Sequence, residues 1–346
     1  MTKPIVSFCL CLRNDNYGGD QFDRFKTFID YYSEIQKRFS GLFEFIITDY
    51  NSPYSSPIHK MDLPWHSLKP IKFIIVNNEQ HEKISKGLGR PILDYVGRNV
   101  AVRHSRGKYV MILNQDIFIT PSILEFCQHK KLKTNSFYRA DRWDVSFGPI
   151  RQKPVDQLIL NAKRNVQSIN RRHSPKYDKI TVRCKNIDPT DLASKTLDGE
   201  KYDSTANIIY GKKVSFLQKI RHRLYEPIIF ESLGLHTNAS GDFILCPKRA
   251  WEKIRGAYET TEFYMHLDSY LIAQLFGVGF RQAIFDLPHQ VFHADHDRSA
   301  RLNFQESIPY EVHKKRMADI ALGKVPPRLN TKNWGMQDES LEVIEI

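Results

Sequence analysis

Apolar residues change their period repeatedly along the first third of the chain. Pro4–Leu12 is an almost unbroken apolar run, the mark of a strand buried on both faces. Within it Cys9 and Cys11 alternate and therefore share one face. Gln21–Phe39 then places Phe22, Phe25, Phe28, Ile29, Tyr32 and Ile35 at helical spacing, which predicts an amphipathic helix. Phe43–Thr48 and Ile71–Val76 read as strands, the first ended by the turn chemistry of Asp49-Tyr50-Asn51-Ser52-Pro53. A helix over Leu93–Ser105, entered past Gly89-Arg90-Pro91, precedes a strand at Tyr109–Leu113. This β-α-β-β-α-β order predicts an α/β fold with a largely parallel sheet covered by helices on both faces. Ligands of such sheets bind beyond the carboxyl ends of the strands. The rule gathers the Arg13–Asn16 loop, Asp49 and Asn114–Asp116 around one crevice.

The rhythm is lost from about residue 133 to 232. That stretch holds basic polar sequence (Arg164–Lys179), turns near Asp188 and Asp198, and a basic helix candidate at Lys212–Tyr225. It returns with a strand at Gly241–Pro247, helices over Lys248–Ile254 and Leu267–Phe276, and a strand at Ile284–Pro288 that leads into His289–His296. From Pro326 the pattern is weak and predicts a tail that wraps the surface. The chain therefore divides into a first half (1–132), a helical, basic insertion (133–235), a second half (236–325) and a tail (326–346).

Composition narrows the class. Hydrophobic residues at 41% are ample for a packed core, and no run of about 18 apolar residues predicts a membrane-spanning helix. The cysteines, five in number and without a CxxC pair, fit a reducing cytoplasm better than a disulfide framework or a thiolate metal site. The net charge of +12, concentrated in residues 151–231, favours an anionic partner. Nucleotide phosphates, an acidic glycan and the anionic inner face of a membrane all qualify. Nucleic acid does not, because carboxylates at three strand ends would repel a phosphate backbone.

Three groups of residues carry candidate chemistry. Asp49, at a strand end, can accept hydrogen bonds from a base or a ribose hydroxyl; it can equally cap a turn. In Asn114-Gln115-Asp116 a carboxylate and an amide follow a hydrophobic strand, a set suited to a hard divalent ion beside a diphosphate, or to an ordinary turn. The third group is C-terminal: Asp242 after Gly241, Asp268 after His266, and His293 and His296 flanking Asp295. The segment Arg139–Asp144 packs charge around Trp143, as a sugar contact or a salt-bridged strand end.

These segments resemble a known family. Phe45–Asp49 looks like the uridine-contacting strand end of family 2-like glycosyltransferases of the GT-A fold. Gly97–Tyr109 resembles the segment that leads into their DxD motif, here the N-x-D-I version Asn114–Ile117, which is associated with a bacterial subgroup. Ser240–Phe243, Trp251, Gly256 and Met265–Ser269 resemble the acceptor-side half. Val291–His296 resembles the late histidine, and Asn333–Met336 a recurrent tail element. The resemblance covers roughly residues 4–150 and 236–340.

The resemblance implies a transfer of sugar from a nucleotide donor, UDP-linked by expectation, to a hydroxyl of a glycan or lipid-linked acceptor, with inversion, in surface polysaccharide or glycoconjugate synthesis. It makes Asp268 the base with Asp242 in reserve. Arg13, Asp49, Arg98, Asn114, Gln115 and Asp116 become the nucleotide-sugar contacts, and Asp116, His293 and His296 the ligands of Mn²⁺ or Mg²⁺. Two other classes compete. A sugar-1-phosphate nucleotidyltransferase needs a glycine-rich basic phosphate loop after the first strand, which Arg13–Gly19 does not match. A non-catalytic glycan- or nucleic-acid-binding protein using the same surface is disfavoured by the carboxylates at three strand ends, which would repel a phosphate backbone.

Overall fold

The computed structural model describes residues 3–146, 148, 151, 153–172, 181–183, 200–211, 217, 220, 233–263, 265–296 and 308–346. The turns near Asp188 and Asp198 and almost all of Lys212–Tyr225 lie outside the described residues, as does Cys184. The chain opens with β1 (Val6–Leu12), α1 (Gln21–Arg38), β2 (Phe43–Tyr50), β3 (Ile71–Val76), α2 (Asn78–Ser85) and α3 (Asp94–His104). There follow β4 (Tyr109–Ile112), β5 (Ile117–Ile119), α4 (Pro121–Gln128), β6 (Ser136–Ala140), β7 (Arg142–Ser146), α5 (Val155–Arg164), β8 (Val166–Asn170), β9 (Thr181–Arg183), β10 (Lys201–Asp203) and β11 (Ile208–Tyr210). The last part contributes β12 (Ile244–Pro247), α6 (Lys248–Ile254), α7 (Leu267–Gly277), β13 (Arg281–Phe285), β14 (Val291–Asp295), α8 (Tyr310–Ala321) and β15 (Glu342–Glu345).

Among the described residues the large sheet runs β10-β11-β13-β6-β12-β4-β1-β2-β3-β15, and a second sheet runs β5-β14-β7-β8-β9. At its centre β4, β1, β2 and β3 are parallel, and antiparallel strands flank this block. The period-two alternation of β1 sorts its side chains between two cores. Val6, Phe8, Leu10 and Leu12 face α1, where Phe25, Phe28 and Tyr32 pack; Cys9 and Cys11 face α3. Both cysteines are buried free thiols, as are Cys127 and Cys246. The fold is mixed α/β with helices on both faces, as the strand order predicts.

Three differences from the sequence reading have physical reasons. Phe22 is 46% exposed, and the stripe of α1 that meets the core instead includes Arg24 at 0%. The described part of the insertion carries strands beside its helices: β6 joins the main sheet, β10 and β11 extend its edge, α5 is helical, and Leu217 and Ile220 are helical within the predicted Lys212–Tyr225. The tail does more than wrap the surface. Trp334 and Met336 are buried against α3, where Arg103 lies over the Trp334 ring at 4.2 Å, and β15 adds an edge strand beside β3.

Gly97 sets how closely α3 approaches the sheet. A Cβ at this position would lie 2.2 Å from Cys11 Sγ, so only glycine allows the contact. Thr48 Oγ1 donates to Gly97 O at 2.8 Å and holds the helix there, with Arg98 directed along the carboxyl edge of the sheet. Among the described residues no helix is long and apolar enough to cross a membrane.

Candidate active site

The parallel block brings the carboxyl ends of β4, β1 and β2 side by side, with Leu12 opposite Asp49 in register. Arg13 Nε donates to Asn51 O at 2.8 Å and Asn14 N to Ser52 Oγ at 2.8 Å, tying the loop after β1 to the loop after β2. Strand β12 runs antiparallel to β4, with Ile244 opposite Ile112. Continuing that register two residues beyond each strand places Asp242 opposite Asn114. Their side chains meet: Asn114 Nδ2 donates to Asp242 Oδ1 at 2.6 Å.

Asn114 is held from its other end as well. Arg98 Nη2 donates to Asn114 Oδ1 at 2.8 Å. Arginine can only donate and an ionised carboxylate can only accept, so these two partners determine which way the amide points. They also account for asparagine at this position. An aspartate would satisfy Arg98 but would set a second carboxylate against Asp242. Arg98 itself is buried, paired with Asp94 Oδ2 at 2.8 Å, and donates to Gly241 O. The ion pair on its own helix coexists with these bonds to Asn114 and to Gly241 ahead of β12.

Asp116 follows at the start of the turn into β5 and is buried. The second sheet delivers its partners. In β14, His293 lies opposite Ile117 of β5 on one side and Asp144 of β7 on the other. His293 Nδ1 donates to Asp144 Oδ1 at 3.0 Å, which turns Nε2 toward Asp116 Oδ2 at 3.9 Å. His296 Nε2 stands 3.3 Å from the same oxygen. One ligand atom from each of Asp116, His293 and His296 can be chosen so that all lie within 4.8 Å of one another. Burial pushes the Asp116 carboxyl up, but hydrogen bonding from His296 and the charges of His293, His296 and Arg24 outweigh it and hold the carboxyl down at about 2.

The residues present fit a divalent cation. Asp116 Oδ1 is buried and has no hydrogen-bond partner among the described residues. A neutral His293 that keeps its proton on the nitrogen facing Asp144 has a lone pair on Nε2 to offer a cation. A carboxylate behind a histidine is the usual support of a metal ligand. Asp144 is itself secured by Arg142, by Ser168 Oγ at 2.8 Å and by Asn170 Nδ2 at 2.6 Å. Burial raises its carboxyl, yet the bonds to His293 and the charge of Arg142 hold it well below the usual range.

Arg142 closes a ring. It binds Asp144 through Nε at 2.9 Å and also donates to Asp242 Oδ2. The salt-bridged reading of the Arg139–Asp144 segment is the one seen. A continuous chain thus runs from Asp116 through His293, Asp144, Arg142, Asp242 and Asn114 to Arg98 and Gly241. At its end Gly241 N donates to Asp268 Oδ2 at 3.1 Å. Asp268 occupies the first turn of α7, and its Oδ1 accepts from Ser269 N at 2.8 Å. Each oxygen keeps a second lone pair.

Asp49 lies at the same edge but is 1% exposed. Its Oδ2 accepts from Ile58 N at 2.7 Å, closing the loop after β2. Burial raises its carboxyl, offset in part by the Ser52 hydroxyl and the Ile58 amide. Gln115, half-buried, stands between Asn114 and Asp116.

Sequence reasoning missed Arg24, whose Nη1 donates to Asp116 Oδ2 at 3.3 Å. The available signal is a charged residue one turn before Phe28 on an apolar helix stripe. Sequence reasoning also missed the buried pair of His236 and Asp141, Nε2 to Oδ1 at 3.0 Å. Burial drives His236 from its ordinary 6.5 down to about 4, although Asp141 works the other way. The unfolded chain therefore takes up this proton more readily than the folded one. The stabilisation is complete above pH 6.5 and lost as pH falls toward 4, on the order of 3 kcal/mol. Urea unfolding at pH 7.5 and pH 4.5 is expected to show this fall, and His236→Gln to flatten it.

No family model matches the chain, and no curated protein does. Among solved structures the chain is similar to S. aureus TarS 1–349, at 12% identity and TM-score 0.43, over 92% of this chain and 70% of that one. It is similar to the same segment in complex with UDP over 92% and 71%, again at 12% identity and TM-score 0.43. Longer S. aureus TarS gives TM-score 0.42, with 43% of that chain covered. Overlap at this level carries no argument about activity.

Proposed function

We propose that the chain is a glycosyltransferase of the family 2-like, GT-A type that moves a sugar from a nucleotide donor, UDP-linked, to a hydroxyl of a glycan or lipid-linked acceptor. The observation that carries this reading is the hydrogen-bonded chain from His293, whose Nε2 stands 3.9 Å from Asp116 Oδ2, through to Gly241, which meets Asp268 at the carboxyl edge of a parallel sheet. A cation-ready cluster and a carboxylate base held in one rigid frame suit a reaction with charge developing at one end and a proton leaving at the other.

In this reading Asp116, His293 and His296 would hold Mn²⁺ or Mg²⁺, which supplies charge neutralisation of the departing diphosphate. The loops after β1 and β2, with Arg13 in one and Asp49 bracing the other, take the nucleoside. Arg98, Asn114 and Gln115 border the diphosphate, and Asp242, fixed by Asn114 and Arg142, receives sugar hydroxyls. Asp268 is the base: the acceptor oxygen attacks the anomeric carbon, its proton passes to Asp268, and the bond to the diphosphate breaks with the electron pair leaving on the nucleotide. A single displacement of this kind inverts the anomeric centre. Residues 1–132 then form the nucleotide-sugar half, 236–325 the acceptor half, and the basic 133–235 segment a docking surface for an anionic membrane at the cytoplasmic face.

Incubation with a panel of sugar nucleotides, with Mn²⁺ or Mg²⁺ and small glycan acceptors, tests the reading. Release of nucleoside diphosphate, faster with an acceptor, is expected. Binding without release would mark a glycan-binding protein, and nucleoside triphosphate formed in the presence of pyrophosphate would mark a nucleotidyltransferase.

A further inference from the structure

Arg24 lies on the core-facing stripe of α1 at 0% exposure. Its Nη1 donates to Asp116 Oδ2 at 3.3 Å, and its Nη2 donates to Tyr17 O and to Gly19 O at 3.1 Å. The guanidinium thus joins the cation-ready carboxylate to the loop after β1. That loop touches the cluster a second time, because the Tyr17 ring meets the His296 ring edge-on at 5.4 Å. A residue this deeply buried, with a permanent charge, cannot withdraw to solvent when another cation arrives.

The charge balance is unusual for a divalent site. Among the described residues Asp116 is the one carboxylate in the cluster, the two other ligands are imidazoles, and Asn114 is neutral. Arg24 already offsets the single negative charge of Asp116. The three ligands and Arg24 together give a divalent cation no net negative charge, and Asp144 behind His293 is paired with Arg142, so cation binding here is weak until an anion joins it. A nucleoside diphosphate, which the proposed function places at this edge, brings the missing negative charge.

We propose that Arg24 makes cation binding at Asp116, His293 and His296 contingent on the nucleoside diphosphate, so that metal and nucleotide bind together and strongly cooperatively. Arg24 keeps Asp116 Oδ2 as a hydrogen-bonded, oriented oxygen and leaves Oδ1, which has no partner among the described residues, for the cation. By linkage the same cooperativity raises nucleotide affinity in the presence of the cation. The inference rests on the nucleotide-binding reading for its second ligand, but its effect on the cation alone does not.

Free Mn²⁺ is followed by its paramagnetic resonance signal while the full chain is titrated, with and without UDP, for the wild type, Arg24→Gln and Arg24→Lys. The wild type is expected to bind Mn²⁺ about tenfold or more tightly when UDP is present. Without UDP, R24Q is expected to bind Mn²⁺ about tenfold more tightly than the wild type, and R24K, which keeps the charge, to stay near it. A folded R24Q whose affinity for Mn²⁺ alone is unchanged or weaker overturns the proposal. So does equal wild-type affinity for Mn²⁺ at zero and at saturating UDP, a comparison that needs no variant to fold. If R24Q tightens Mn²⁺ binding but UDP binds to neither protein, the role of Arg24 stands and the nucleotide reading fails.

Discussion

Asp268→Asn is expected to abolish sugar transfer, with turnover falling about a thousandfold, while UDP still binds. The asparagine is nearly isosteric, and its Oδ1 can still accept from one of the two amides that now hold Asp268, Gly241 N and Ser269 N. What it lacks is the capacity to take a proton from the acceptor hydroxyl, a contribution typically of 10² to 10⁴. The comparison of turnover with binding is the informative part. If Asp268 served only to hold Gly241 against the start of α7, its loss would disturb Arg98, which donates to Gly241 O, and nucleotide binding would fall together with turnover. Substantial turnover in D268N, with a normal circular dichroism spectrum, would remove Asp268 from the role of base.

Asn114→Asp is expected to damage the protein even though it restores the first aspartate of the family motif. Asn114 Nδ2 lies 2.6 Å from Asp242 Oδ1. An aspartate at 114 replaces that donor with a second negative charge, and at this distance either the side chains separate or one of them takes up a proton. Separation releases Asp242 from its place between residue 114 and Arg142, and protonation keeps the contact but places a proton between the two carboxyls, changing the charge that Arg142 and the substrate meet. A shift of about 1 Å in a positioning group costs on the order of a hundredfold in rate, and a loss of that size in turnover is expected. The exchange N114D/D242N returns one amide and one carboxylate to the contact and is expected to recover part of it. The motif taken alone implies the opposite: a second carboxylate would strengthen cation binding and raise activity. An N114D protein as active as the wild type, or more so, would show that Asn114 does not act through Asp242.

These two residues illustrate what can be read from the chain before its fold. The parallel block is legible because its strands are short apolar runs separated by helical spacing, and the strand-end rule then gathers Arg13, Asp49 and Asn114–Asp116 at one edge. The grouping of Asp116 with His293 and His296 is legible only through family resemblance. Nothing local in Val291–His296 indicates that β14 pairs with β5 and β7, which is what sets His293 between Asp116 and Asp144. The reason for asparagine at 114 is not legible at all, since it depends on a register between β4 and β12 across more than a hundred residues of chain.

Arg24 and Phe22 show a different limit. Helical periodicity assigns both aromatic and charged residues by angle alone, and it favours Phe22 for the core. The ion pair with Asp116 reverses that preference, because a buried guanidinium is tolerated where a carboxylate and two backbone carbonyls receive it. The tail is misjudged for a related reason. Trp334 and Met336 are isolated apolar residues in a polar stretch, and their burial against α3 depends on Glu259, which accepts from Gly335 N at 2.7 Å and from Asn99 Nδ2 at 2.8 Å.

Calorimetric titration of UDP into the protein in the presence of Mn²⁺, repeated with Asp116→Ala, tests the central assignment most directly. The account predicts saturable, one-to-one binding by the wild type that D116A loses or weakens by about a hundredfold, with the folded spectrum retained. Absence of binding to the folded wild type with both Mn²⁺ and Mg²⁺, or UDP binding that D116A leaves unchanged, would contradict it.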